Sequence, residues 1–221
     1  MTSTPPVTRA PRSAWLALAV LLGGAFMSLL DTTIVNVALP TIRTSLDASE
    51  STLSWIISGY ALAFGLALIP AGRIGDRYGH KWVFFTGLAL FTAASVACGL
   101  AQNDLQLIIA RVVQGLGGGI FFPAVAAFIQ LLFPPMTRGK AFAVLGAVIG
   151  VSSALGPLVG GLLIQALGEE TGWRWIFAVN LPIGILVLIA AVALLPREAA
   201  GKAASTDLVG LVLLSGALVA I

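Results

Sequence analysis

Two charged residues, Asp31 and Arg111, lie within long apolar stretches of the 221-residue sequence. An aspartate in such surroundings can exchange a proton, because burial favours its neutral form and a nearby guanidinium favours its ionised form. Gln114 follows Arg111 by about one helical turn and so lies on the same helix face. We predict a proton-binding site at Asp31 that Arg111 modulates. A static ion pair that only joins two helices is the alternative.

Polar residues close to this pair are candidates for lining a substrate cavity. The candidates are Thr32, Asn36 and Gln114. Thr32 could instead hydrogen-bond to its own helix. Gln114 could equally be a satisfied polar residue in a helix interface. The sequence leaves these interpretations open.

A second concentration of charge is the segment RIGDRYGHK, residues 73–81, in a chain of which only 10% is charged. Its glycines permit a tight turn. A carboxylate beside two arginines can form charge-assisted hydrogen bonds that break and re-form as helices move. We interpret the segment as a gate, although any short cytoplasmic turn collects positive charge. The candidate gate residues are Gly72, Arg73, Asp76, Arg77, Gly79 and Lys81.

Membrane-spanning helices must position these residues. Hydrophobic residues make up 58% of the chain and its mean hydropathy is +1.02, far above a soluble domain. Lipid cannot satisfy backbone polar groups, so each apolar stretch is expected to be a helix. The sequence predicts an all-α, polytopic transmembrane bundle of six helices over residues 14–196. The predicted spans are 14–39, 52–71, 82–101, 105–133, 141–166 and 175–195.

Three segments lie outside the predicted bundle. Residues 1–13 are predicted to form a cytoplasmic tail, and residues 197–207 a cytoplasmic linker. Residues 208–221 are apolar but shorter than the ~20 residues that a crossing needs. We expect them to be the start of a truncated seventh transmembrane helix.

Lysines and arginines predict the orientation of the bundle. With a cytoplasmic N-terminus, nine of them fall on the cytoplasmic side and only Arg43 and Arg174 in the outer loops. This distribution favours a multi-pass protein of the inner (cytoplasmic) membrane. It also accounts for the net charge of +3, so nothing here requires a nucleic acid partner. The nine are Arg9, Arg12, Arg73, Arg77, Lys81, Arg138, Lys140, Arg197 and Lys202.

The five tryptophans fall near predicted span ends, where amphipathic rings sit at the membrane surface. They are Trp15, Trp55, Trp82, Trp173 and Trp175. Trp15 favours an anchored first helix over the alternative of a cleaved signal peptide, and the apolar run that follows is long for such a peptide.

Glycines spaced four apart predict where helices approach closely. The pairs are Gly115 with Gly119, Gly146 with Gly150, and Gly156 with Gly160. Pro157 removes a backbone hydrogen bond and should bend the fifth span.

Enzymatic and metal chemistry have little support in the sequence. The single cysteine, Cys98, excludes an internal disulfide and a cysteine-based metal site, and its expected role is packing. The sole histidine, His80, lies in the 73–81 segment, and no nucleophile elbow or phosphate loop is present. We therefore expect neither a metal nor an enzyme.

Five segments resemble motifs of the major facilitator superfamily. GRIGDRYGHK (72–81) resembles its loop between helices two and three, and LDTTIVNVALP (30–40) the first-helix motif of the fourteen-helix drug:proton antiporters. RVVQGLGGG (111–119) is similar to the fourth-helix motif associated with proton coupling. GPLVGG (156–161) resembles the fifth-helix antiporter motif, and WRWIFAVNLP (173–182) the start of helix six. The antiporter motif residues are Gly156, Pro157, Gly160 and Gly161.

Two positions depart from the patterns of this family. Ser152 stands where the fifth-helix motif usually has another glycine, which weakens the antiporter assignment slightly. His80 occupies a position that is commonly basic, and it could add pH sensitivity to the gate.

The resemblance implies the six-helix N-terminal half of a proton-coupled efflux transporter for small lipophilic or cationic compounds such as drugs or antibiotics. Asp31 would carry the proton, Arg111 would modulate it, and the 72–81 gate would close against the C-terminal half. The proton gradient would supply the energy without a cofactor. Expected partners are the small-molecule substrate, protons, membrane lipid, and either the missing C-terminal half or a second copy.

Other functions are compatible with the same fold. A facilitator that imports a solute or works as a symporter shares the 73–81 loop, and the Gly156–Gly161 motif argues against it. A half-transporter with an assembly or regulatory role is a further alternative. A membrane enzyme has the least support, since no cluster of catalytic residues is recognisable.

Overall fold

The computed structural model describes residues 10–168 and 170–197, and this part of the chain is entirely α-helical apart from its turns and short connections. The all-α prediction is confirmed. The helices are α1 (Arg12–Leu46), α2 (Glu50–Tyr78), α3 (His80–Leu100), α4 (Asp104–Leu132), α5 (Pro135–Leu167), α6 (Gly172–Ala178) and α7 (Asn180–Leu194).

Six helical stretches are long and apolar enough to cross a membrane, as the sequence predicts. The sixth comprises α6 and α7, which are separated by Val179, a residue that keeps a right-handed helical backbone. Pro182 lacks the N–H that would bond to the carbonyl of Ala178, which explains the interruption. Residues 208–221, predicted to begin a seventh helix, lie outside the described residues, as do most of the predicted tail and linker.

Local sequence determines where several helices begin. Ser49 precedes α2 and accepts a hydrogen bond from the Thr52 backbone at 3.2 Å, and Asn103 caps α4 through the Gln106 backbone at 2.9 Å. Between α2 and α3 the connection is the single residue Gly79, with φ of 95°. Side-chain-bearing residues rarely adopt this φ, so the predicted tight turn depends on glycine.

Glycines bring the helices around α4 into backbone contact. A Cβ atom at Gly115 or Gly119 would overlap the carbonyl of Tyr60 or Phe64 in α2, and one at Gly117 would lie 2.6 Å from the Phe91 nitrogen in α3. The predicted pair of Gly115 and Gly119 therefore marks a close approach between α4 and α2.

A second predicted pair, Gly156 and Gly160, lies on α5, and Cβ atoms at these positions would meet Thr33 and Ile34 of α1. Two of the three predicted pairs therefore mark close approaches. The prediction for Gly146 and Gly150 is wrong for the described residues, since nothing lies within 4 Å of a Cβ at either position. Both glycines lie on a helix that packs mainly on α1 and leaves much of its surface exposed.

Apolar side chains form two buried clusters at different depths of the bundle. The first contains Phe84, Phe91 and Phe121, whose rings meet edge to face with centroids 5.6 and 5.9 Å apart. The second surrounds Trp173 and Phe177. Along α1, α3 and α4, a short interval that contains buried polar residues separates the two clusters.

Trp173 corrects the interpretation of the tryptophans. Trp15, Trp55, Trp82 and Trp175 are exposed, as expected of rings at a membrane surface. Trp173 is completely buried, and its Nε1 has no hydrogen-bond partner among the residues that the structure describes. Its ring packs against Phe177, and the Arg174 guanidinium lies 4.4 Å from its centroid.

Candidate functional site

A layer of polar side chains lies between the two apolar clusters. We call it the polar layer; its members are Asp31 from α1, Ser95 from α3, Arg111 and Gln114 from α4, and Asn180 from α7. Each of the five is at most 2% exposed. Buried polar groups in an apolar bundle require partners, and these side chains supply partners to one another.

Asp31 is held by three donors from two other helices. Its Oδ2 accepts from an Arg111 guanidinium nitrogen at 2.6 Å. Its Oδ1 accepts from Gln114 Nε2 at 2.9 Å and from Asn180 Nδ2 at 2.8 Å. The ionised carboxylate is therefore satisfied at both oxygens by a cation and two amides.

Arg111 is fixed from several directions. The nitrogen that binds Asp31 also donates to Gln114 Oε1 at 2.7 Å, and Nε donates to the Ile56 carbonyl of α2 at 3.3 Å. The guanidinium carbon lies 4.0 Å from the centroid of the Tyr60 ring, a cation–π geometry. The Tyr60 hydroxyl in turn contacts Ser28 Oγ at 3.1 Å.

Ser95 joins the two amide side chains. Its Oγ accepts from Asn180 Nδ2 at 2.8 Å and from Gln114 Nε2 at 3.2 Å, and it donates to the Phe177 carbonyl at 3.0 Å. Cys98, the predicted packing residue, is buried with its Sγ 3.5 Å from Gln114 Oε1. The hydroxyl thereby links α3, α4 and the interrupted sixth span.

The electrostatic balance of the polar layer depends on one carboxylate and one guanidinium. With both ionised the pair is neutral, and either charge alone would be buried without compensation. A proton arriving at Asp31 would change the charge of the layer by one unit.

The cavity candidates separate in the structure. Gln114 belongs to the polar layer, whereas Thr32 and Asn36 lie on an exposed face of α1. Thr32 Oγ1 donates to the Ser28 carbonyl at 3.0 Å, and Asn36 Nδ2 donates to the Thr32 carbonyl at 3.1 Å. Thr32 thus makes the bond to its own helix that the sequence left as an alternative.

The gate residues lie around the α2–α3 turn. The Asp76 carboxylate is 3.3 Å from His80 Nε2, and the His80 ring packs against Gly75. Arg73 and Arg77 are exposed, with the Arg77 guanidinium 5.2 Å from the Tyr78 ring centroid. Gly72 has open space around its Cβ position.

Lys81 differs from the other charged gate residues because it is buried. Its Nζ donates to the carbonyls of Val192 at 2.8 Å and Leu195 at 2.6 Å. A cation at the last carbonyls of a helix is favourable. Lys81 therefore ties the start of α3 to the end of α7.

The fifth-helix motif lies along the contact between α5 and α1. Gly156 and Gly160 face α1, while Gly161 has open space at its Cβ position. Pro157 lies inside α5, which continues through it. Ser152, the departure from the motif, is buried, and its carbonyl lies 3.4 Å from Thr33 Oγ1.

Sequence reasoning missed Ser95, Asn180 and Tyr60. Asn180 carried a usable signal, because it is the only strongly polar side chain between Trp175 and Leu195. Ser95 carried none, since several serines and threonines in the spans bond only to their own helix. Among the described residues, no group of three or more metal-ligating side chains occurs.

The chain is similar in sequence to a family of membrane transporters. A family model described as Major Facilitator Superfamily matches residues 21–218. The probable actinorhodin transporter of Streptomyces coelicolor is 43% identical over 97% of this chain and 36% of its own length. The tetracenomycin C resistance and export protein of Streptomyces glaucescens is 39% identical over 92% of this chain and 37% of its length. The puromycin resistance protein of Streptomyces alboniger is 41% identical over 94% and 41%.

Solved structures show the same fold at low sequence identity. A bacterial homologue of the lysosomal transporter Spinster, in an inward-facing conformation, matches 90% of this chain and 46% of its own, with a TM-score of 0.75 and 22% identity. The proton:xylose symporter XylE matches 83% and 45%, with a TM-score of 0.69 and 20% identity. The chain spans about 36–41% of the length of the three curated relatives above.

Proposed function

Because the chain belongs to the Major Facilitator Superfamily, we propose that it forms one half of a proton-coupled exporter of small lipophilic or cationic compounds such as antibiotics. The buried pair of Asp31 and Arg111 carries this proposal. Intramembrane ionisable residues are costly and mark ion pathways by default. Relatives named for antibiotic export or resistance support the direction and the class of substrate.

Proton and substrate compete for the same electrostatic compensation. With Asp31 ionised, Arg111 balances its charge at 2.6 Å. A proton on Asp31 leaves the guanidinium as a net positive charge in the layer, so a cationic substrate is disfavoured until that proton leaves. Uptake of one is thereby linked to release of the other. The proton gradient supplies the energy, and no bound cofactor is required.

The protein is a multi-pass membrane protein, and the described part of the chain holds six apolar spans. We propose the inner membrane as its location, with the N-terminus and the α2–α3 turn facing the cytoplasm. The rest of the transporter, supplied by a C-terminal half or by a second copy, would complete the substrate cavity. The exposed face of α1 with Thr32 and Asn36 is a candidate lining of that cavity.

The test uses the intact transporter in vesicles that carry a pH gradient. Asp31→Asn should abolish collapse of that gradient on addition of an exported antibiotic, because an amide cannot carry the proton. The matched control is Asp47→Asn, a change at an exposed residue with left-handed φ of 50°, which asparagine tolerates. Normal proton exchange by Asp31→Asn would refute the assignment, and inward accumulation of the compound would favour an importer.

A further inference from the structure

Asn180 occupies a distinctive place among the three donors to Asp31. Both hydrogens of its amide group are engaged, one with Asp31 Oδ1 at 2.8 Å and the other with Ser95 Oγ at 2.8 Å. The residue begins α7, directly after Val179. It thereby connects the carboxylate of α1 to the point where the sixth span is interrupted.

The hydrogen bonds of the polar layer are strongest when Asp31 is ionised, because all three of its partners are donors. Oδ1 already faces two N–H donors and Oδ2 faces the guanidinium. A proton can enter only the second acceptor site of Oδ2, and it removes the negative charge that strengthens all three hydrogen bonds. The donors therefore hold a protonated Asp31 less tightly than an ionised one, and one of them can withdraw when the proton binds.

Two of the three donors are fixed by further contacts. Arg111 is also bound to Gln114 Oε1 and the Ile56 carbonyl, and it lies over the Tyr60 ring. Gln114 is held at both ends of its amide, since Oε1 accepts from Arg111 while Nε2 donates to Asp31 and Ser95. Both residues also belong to α4, whose backbone is in contact with α2 and α3.

The backbone around Asn180 is less restrained. Pro182 cannot donate to the carbonyl of Ala178, so one helical hydrogen bond is missing where α6 meets α7. Helices bend most readily at such interruptions. Among the three donors, Asn180 is therefore the one whose withdrawal disturbs the fewest other contacts.

We propose that Asn180 is the positioning residue that releases Asp31 when the proton binds, so that protonation of Asp31 is coupled to movement of α7. The inference rests on the proposed function, since it requires Asp31 to be the proton carrier. Lys81 of α3 binds the C-terminal end of α7, whereas Asn180 lies at its N-terminal end. Motion at Asn180 would therefore move the start of a helix whose end is held. The sixth span thereby senses the protonation state.

The titratable and charged groups around Asp31 come from three helices. They are Arg111 on α4, Tyr60 on α2 and Cys98 on α3. A substitution at Asn180 does not remove any of these three side chains. A shift in the titration of Asp31 in such a variant therefore reports the lost amide donor.

The experiment measures protonation directly and does not depend on transport. Infrared difference spectra of the intact transporter in lipid are recorded across a pH series, and the carboxyl band that Asp31→Asn removes is assigned to Asp31. Asn180→Ala should move the midpoint of this band up by about one pH unit, a tenfold gain in proton affinity, because the ionised form loses a donor. Thr86→Val, which removes a hydroxyl bonded only to its own helix, should leave the midpoint unchanged.

Ser95→Ala provides a second variant should Asn180→Ala fail to fold. It removes the acceptor that holds both amide groups, and it should raise the midpoint by less than Asn180→Ala. If the midpoint for Asn180→Ala equals the wild-type value, the role of Asn180 is overturned and the proposed function stays intact. The same conclusion follows from an unchanged midpoint for Ser95→Ala if only that variant folds. Absence of any titrating Asp31 band in the wild-type protein would overturn the proposed function itself.

Movement of α7 is the second readout. Backbone hydrogen exchange of residues 181–187, corrected for the intrinsic effect of pH, should rise in wild-type protein as Asp31 becomes protonated. The Asp31→Asn variant should show no such pH dependence. Exchange in this segment that is independent of pH in the wild type would contradict the coupling.

Discussion

The polar layer and the α2–α3 turn each place an aspartate beside a nitrogen-bearing side chain, but in opposite surroundings. Asp31 and Arg111 are 0% and 2% exposed, and donors satisfy both carboxylate oxygens. The Asp76 side chain is 71% exposed and meets His80 at 3.3 Å. Buried charges depend strongly on their partners, whereas exposed pairs are screened by solvent. An aspartate contact is therefore a strong constraint in one region and a weak one in the other.

The largest effect is expected from breaking the buried pair. Arg111→Gln would leave Asp31 buried without its cation and should lower the stability of the detergent-solubilised transporter by about 3–5 kcal/mol. Thermal unfolding followed by circular dichroism measures the loss. The double variant Asp31→Asn with Arg111→Gln should recover much of the stability, because no charge remains uncompensated.

The double variant also separates function from packing. It should fold and yet fail to exchange protons, since neither residue can carry charge. Proton exchange that persists in this variant would support the alternative in which the pair only joins two helices. A single Arg111→Gln variant as stable as the wild type would contradict the description of Asp31 and Arg111 as a buried charge pair.

An intermediate effect is expected at Lys81, the charged gate residue that is buried. Lys81→Met keeps the apolar stem but removes the donor to the carbonyls of Val192 and Leu195. A hydrogen bond to a charged group is worth about 1.5–3 kcal/mol, so hydrogen exchange near the end of α7 should accelerate. Arg77→Met, a change at an exposed cation of the same turn, is the control. Equal exchange in both variants would show that the Lys81 contacts contribute nothing.

The smallest effect is expected at the exposed carboxylate. Asp76→Asn should change the unfolding free energy by about 0–1 kcal/mol, since this carboxylate is exposed to solvent. If the turn is a gate, the transport rate should fall while stability stays the same. A destabilisation as large as that of Arg111→Gln would remove the contrast between the two regions.

Sequence reasoning succeeded where local composition decides the outcome. The six spans, the glycine turn at Gly79 and the close approaches at Gly115 and Gly156 all follow from properties of one short segment. It also anticipated an interaction between Asp31 and Arg111, because a single charge buried in an apolar bundle is costly without a partner of opposite charge. Where each helix lies relative to its neighbours is not a local property.

That relation explains the residues that were missed or misread. Gly146 and Gly150 have the same spacing as Gly156 and Gly160, yet only the second pair meets another described helix. Trp173 and Trp175 are two residues apart, so they point to different sides of the helix, one into the core and one outward.

By itself, the sequence determined an all-α membrane protein of the Major Facilitator Superfamily with a charged pair in its interior, because hydropathy and motifs are properties of contiguous segments. The tertiary structure alone decided that Ser95 and Asn180, 85 residues apart, share one polar layer with that pair. The physical reason is that lipid offers these groups no hydrogen-bond partners, so helix packing must bring them together from distant segments.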